Sequence, residues 1–229
     1  MKITVPMLVG ATFLALSPPG HAAPDFCTTA PIVVGSGGSI PAATLLTPGV
    51  CAAAGDKVFG AFAANAGITG NGSGSFTFLS TPGNVTLGFS GVVTPSTTGT
   101  IDYTVAVDPA LSAGFLINDL EKDFTLNASL TGLPASATLT GSTTADPAFV
   151  FDCTRAVNPS SSTCPQTDVF GTTAQMSVVE TITTGPNAIV TAITDTISQI
   201  PAIPEPSSLA LLGGSLIMLG FAARRHRQH

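Results

Sequence analysis

Histidine is the side chain that most readily moves protons near neutral pH. This chain holds three, His21, His226 and His229, all in the end segments. The 181 residues between, 23–203, contain none. That excludes a Ser-His-Asp or Cys-His nucleophile pair and any His-ligated metal hydrolase from the interior of the chain. No Gly-rich phosphate loop ending in Lys-Ser/Thr occurs either. Carboxylates remain, because glycoside hydrolysis needs only two of them. Glu121 and Glu180 are the two glutamates of the interior segment. Glu180 stands in the alternation Val178–Ile182, which turns it inward and makes it the acid most open to perturbation by burial. Asp119–Asp123 is the densest acidic cluster. Alternating oxygen ligands of this kind can hold Ca²⁺, but Lys122 stands among them and no Asp/Asn-Gly loop accompanies them. The segment reads better as a solvated strand edge that resists edge pairing. Sugar clefts usually offer aromatic faces, and the chain has no Trp and a single Tyr, Tyr103. The expectation is therefore no catalytic residue, no metal and no cofactor, with a histidine-free hydrolase using a carboxylate pair as the alternative.

Cys27, Cys51, Cys153 and Cys164 also lie in the interior segment. An even set in an oxidising compartment points to two disulfides, and four cysteines allow three connectivities. Closeness in sequence favours Cys27–Cys51 and Cys153–Cys164. With no His nearby and no Cys-x-x-Cys, a metal site is the weaker reading.

The elements that position these groups read as strands. Thr (32) and Ser (20) are abundant while charged residues are only 9% of the chain, which argues against a helical bundle. Apolar residues make up 44%, too many for a disordered segment. Val85-Leu87-Phe89, Ile101-Tyr103-Val105-Val107 and Phe124-Leu126-Ala128-Leu130 alternate with small or polar residues. Residues 176–183 and 188–198 are rich in Val, Ile and Thr, which suits strands. Turn signals separate these runs: Pro82-Gly83-Asn84, Thr94-Pro95, Asp108-Pro109, Asp146-Pro147 and Gly185-Pro186-Asn187. Roughly ten regularly spaced strands predict an all-β domain, a β-sandwich or jelly-roll-like barrel. Within Pro109–Asp123, a short helix around Leu111–Leu120 is a further expectation. Twelve acids face Lys57, Lys122 and Arg155 across 23–203, a net charge of −9. That sign excludes a nucleic-acid partner.

The two ends differ from this domain. Met1–Ala22 has the plan of a secretory signal peptide: Lys2, the short apolar run Val5–Leu16, then small residues at Gly20 and Ala22. At the other end Pro204-Glu205-Pro206 is followed by Ser207-Ser208, the uncharged run Leu209–Ala223, and Arg224-Arg225-His226-Arg227. Fifteen helical residues reach ~22 Å against a hydrocarbon core of ~30 Å. Adding the serines and letting the arginines snorkel makes a span feasible. Arg224, Arg225 and Arg227 would stay cytoplasmic and leave everything upstream outside. The organisation is thus 1–22 signal peptide, 23–198 exported β-rich domain, 199–206 proline-rich tether, 207–223 hydrophobic helix and 224–229 basic tail.

A Pro-Glu-Pro triplet, a Gly-containing apolar helix and a terminal Arg cluster together resemble the PEP-CTERM sorting signal of bacterial envelope proteins. The resemblance covers Pro204–His229 and rests on the tripartite arrangement. It implies that Pro204, Glu205 and Pro206 are read by an exosortase, a membrane-embedded peptidase or transpeptidase. It also implies that the helix parks the chain transiently in the inner membrane, and that the protein then reaches the cell surface or extracellular matrix. Association with exopolysaccharide or biofilm matrix, as a non-catalytic structural or adhesive component, comes from the resemblance alone. Gly55–Phe62 is similar to an early segment of such cargo proteins, although an ordinary strand with aromatic anchors explains it as well.

Overall fold

The computed structural model describes residues 24–65, 67–68, 74–108, 111, 114–128 and 132–201. The predicted signal peptide, the Pro-Glu-Pro triplet, the predicted apolar helix and Arg224, Arg225 and Arg227 lie outside these residues.

Two sheets form the domain. The first contains β1 (Ile32–Val34), β3 (Ala52–Ala54), β4 (Lys57–Ala64), β7 (Thr98–Val107), β13 (Gln175–Thr184), β9 (Ala135–Thr143), β10 (Val150–Val157) and β11 (Ser161–Ser162), in that spatial order. The second runs β12 (Gln166–Thr173), β8 (Phe115–Ala128), β14 (Ala188–Pro201), β6 (Asn84–Val93), β5 (Ser75–Thr81) and β2 (Gly38–Pro41). Pairing is antiparallel except between β1 and β3. One helical turn, α1 (Ala42–Leu45), follows β2. The architecture is the expected all-β sandwich.

Alternation explains which side chains meet between the sheets, because successive residues of a strand point to opposite faces. Val85, Leu87 and Phe89 of β6 are buried, as are Ile101, Tyr103, Val105 and Val107 of β7. Rings of the two sheets interleave: Phe59 lies 5.3 Å from Phe78 and Phe62 lies 4.6 Å from Phe76, centroid to centroid. Phe59 and Phe62 are three apart, so in a regular strand they would face opposite ways. A register break between Gly60 and Ala63, with Ala61 at φ 52°, inserts the extra residue that turns both rings inward. The aromatic anchors expected of Gly55–Phe62 are therefore real, and a bulge makes them so.

Two expectations fail in β8. No helix covers Leu111–Leu120, since the chain is strand from Phe115 onward. Opposite β14, Asn118 has no register partner between Ile117 and Asp119. This bulge puts Ile117 and Leu120 both in the core, at the i, i+3 spacing that a helix would give. Nor is Asp119–Asp123 a solvated edge. β8 is paired on both sides, with β12 and β14, and the side chain of Lys122 is wholly buried. Finally, β14 continues to Pro201, three residues into the predicted tether, and Gln199 contributes side-chain hydrogen bonds there.

Both favoured disulfides are present: Cys27 is bonded to Cys51 and Cys153 to Cys164. The second bridge holds the loop between β10 and β12, and Gly60 leaves room for the first. A Cβ on Gly60 would stand 2.4 Å from Cys51 Sγ and 2.8 Å from Phe26 Cδ2.

Candidate functional site

Four polar side chains meet in the core between the sheets. Each stands at the centre of an apolar alternation: Tyr103 between Ile101 and Val105, Lys122 between Leu120 and Phe124, Glu180 between Val178 and Ile182, Asp195 between Ile193 and Ile197. All eight flanking residues are buried, so strand geometry forces the four polar groups into the same layer. Lys122 and Asp195 belong to β8 and β14 and are direct register partners. Tyr103 and Glu180 come from β7 and β13 of the facing sheet.

Lys122 Nζ donates to Glu180 Oε1 and, at 3.2 Å, to Asp195 Oδ1. The Tyr103 hydroxyl donates to Asp195 Oδ2. The lysine also lies 5.2 Å from the centroid of the Phe151 ring, a cation–π contact in a desolvated setting. Gly141 of β9, the register partner of Glu180, admits the lysine stem; a Cβ there would be 3.5 Å from Lys122 Cε and 2.8 Å from the Val179 carbonyl oxygen. None of the four polar side chains is more than 3% exposed.

Burial sets the electrostatics. Desolvation, followed by the charge of Asp195, pushes Glu180 up to about 8, against the opposing pull of Lys122. For Lys122 burial acts downward, but the two carboxylates more than offset it and its pKa is raised. Tyr103 is raised well above its ordinary value by burial and by the same two acids. A void of about 10 Å³ borders Tyr103, Glu180 and Asp195, roughly the room one water molecule needs.

A second buried lysine, Lys57, sits where β4 begins and donates to Asp56 (3.0 Å) and Gln199 (3.2 Å), tying the first sheet to β14. Burial lowers its pKa. On the surface, Arg155 grips Asp123 with both its Nε (3.0 Å) and Nη2 (2.6 Å). An open depression of about 390 Å³ lies among Pro134, Ser136, Asn158, Pro159 and Pro186, with no aromatic side chain in its wall.

Sequence reasoning singled out Glu180 and passed over its three partners. Lys122 was hidden by the acids on either side of it in sequence, which face away from the core. The phase of Leu120 and Phe124 was the available signal, and the same test at Asp195 and Tyr103 completes the set. Of the other sequence-derived sites, the four cysteines pair as described. Pro204, Glu205, Pro206, Arg224, Arg225 and Arg227 lie outside the described residues.

Among known proteins, no curated sequence matches the chain. Similar solved structures include TmCBM61 in complex with beta-1,4-galactotriose, at 7% identity over 49% of this chain and 70% of that one, with a TM-score of 0.24. Another is the family 11 carbohydrate-binding module from Clostridium thermocellum in complex with a beta-1,3-1,4-mixed-linked tetrasaccharide, at 10% identity over 63% of this chain and 89% of that one, TM-score 0.22. A family model, the PEP-CTERM protein-sorting motif, matches residues 202–227. The chain thus carries a PEP-CTERM sorting signal at the segment that holds Pro204-Glu205-Pro206, the apolar run and the arginines, and that signal implies export and transit through the membrane.

Proposed function

We propose that this protein is a surface or matrix component, structural or adhesive and associated with exopolysaccharide. Met1–Ala22 directs export, the apolar segment 207–223 holds the chain transiently in the inner membrane, and an exosortase acts near Glu205 to release or attach the domain. The observation that carries the reading is the sorting motif at 202–227. The exopolysaccharide association rests on the resemblance of that tail to envelope-protein signals. The domain itself supports durability in such a location: two disulfides, and a hydroxyl-rich exterior of net negative charge that keeps it soluble.

The domain is further proposed to be non-catalytic. Its most perturbed carboxyl, Glu180, is sealed between the sheets and bonded to Lys122, beside a void too small for a substrate. Secreted protein is expected to leave glycoside, ester and peptide panels untouched. Turnover lost in a folded Glu180→Gln variant would instead establish the hydrolase. For sorting, envelope fractionation of the native host is the direct test. Wild-type protein is expected in the surface or matrix fraction, shed to the medium when exopolysaccharide synthesis is deleted. The Glu205→Ala variant is expected as an uncut, membrane-held precursor. A variant that matures and distributes like the wild type would refute the role of the triplet.

A further inference from the structure

An amine and a carboxyl held together away from water are the two halves of an amide. We propose that Lys122 and Asp195 condense within the folded domain to a covalent side-chain amide joining β8 to β14, with Glu180 relaying the protons and Tyr103 holding the carboxyl oxygen.

The placement of the four groups supports each role. The nucleophile and the carbon it attacks lie on neighbouring strands in direct register, with Lys122 Nζ 3.2 Å from Asp195 Oδ1. Packing fixes both side chains, so the encounter carries no further entropic cost. Glu180 reaches the same Nζ from the facing sheet, as a proton relay must. Tyr103 donates to Asp195 Oδ2, the oxygen that becomes anionic when the carbonyl is attacked. The void bordering Glu180 and Asp195 matches the single molecule released.

The step balances without any oxidant, reductant or cofactor. Lys122 as ammonium gives one proton to Asp195 Oδ1, leaving a neutral amine and a neutral acid. The nitrogen lone pair attacks Asp195 Cγ, forming the N–C bond and placing negative charge on Oδ2 beneath the Tyr103 hydroxyl. Glu180, whose neutral form burial favours, gives its proton to the Oδ1 hydroxyl. It takes one back from the nitrogen. The Cγ–Oδ1 bond breaks, water leaves, and Glu180 returns to its starting state. In bulk water both partners would stay ionised and hydrated. Here the reaction replaces two buried charges by a neutral amide, which removes a desolvation penalty instead of adding one.

Mass spectrometry of the folded full-length chain, purified from an exporting host and then reduced and alkylated, tests this. The expected mass is that of the processed chain less one water, and digestion should give a branched peptide joining the Lys122 and Asp195 segments. The Lys122→Arg variant should recover the whole mass, and Glu180→Gln should leave most chains unlinked. If a variant does not fold, the wild-type mass still decides. Wild-type protein at full mass, with Lys122 and Asp195 in separate unmodified peptides, would overturn the proposal. A branch from Lys122 to Glu180 would also overturn it, since Asp195 would then not be the acceptor.

Discussion

At the scale of single residues, the buried lysine governs the core. Before the amide forms, Lys122 is the cation between Glu180 and Asp195, and replacing it by Met would leave the two acids facing each other without it. Removing one partner of a buried ion pair costs about 3–5 kcal/mol, and urea unfolding of the Lys122→Met variant should show a loss of that order relative to unlinked wild-type chains. Glu180 contributes a pH dependence of opposite sign to that of an ordinary salt-bridged acid. Its folded pKa of about 8 lies above the unfolded 4.5, so the folded state binds the extra proton between those values. Its stabilisation is complete below about pH 4.5 and is lost as pH rises through about 8. The groups that face it are Lys122 from β8, Asp195 from β14 and Tyr103 from β7. Subtracting the Glu180→Gln unfolding profile from that of wild-type chains in which Lys122 and Asp195 are still unlinked should give a difference that declines across this window. A flat difference would show that burial does not hold the acid neutral.

At the scale of elements, the disulfides and the bulges carry what alternation does not. Cys153–Cys164 closes a loop with a sequence separation of 11. Breaking a bridge over so short a loop should cost roughly 2–3 kcal/mol. A Cys153→Ser, Cys164→Ser double variant should unfold at correspondingly lower denaturant. In the oxidised wild type, unfolding should release no thiol to a labelling reagent, and two or more reactive thiols would contradict the pairing. The strands were legible in the sequence because Val85–Phe89, Ile101–Val107 and 176–183 obey a period of two. β8 was only half legible. Its second half alternates from Leu120 through Phe124, but the bulge at Asn118 shifts phase and imitates helical spacing. The inward lysine was concealed for a related reason. Acids at 119, 121 and 123 dominate the local composition, while the face of a strand is decided by phase and not by composition. Glu180 was legible because nothing around it disguised Val178 and Ile182.

At the scale of the whole molecule, the described residues form a β-sandwich, and the sorting motif lies beyond it at residues 202–227, with Met1–Ala22 proposed as the export signal. The sign of export lies in the tail, whose sorting motif spans residues 202–227. The triplet was legible from sequence because its parts lie side by side along the chain, unlike the core cluster, whose members come from four strands. Export also supplies the oxidising compartment that the two disulfides require. One measurement tests this division most directly: mass spectrometry of both termini of the protein recovered from its host envelope. The account predicts a mature chain beginning at Ala23 and ending close to Pro204–Pro206, without the arginines. Recovery of chains that run intact from Met1 to His229 would contradict it.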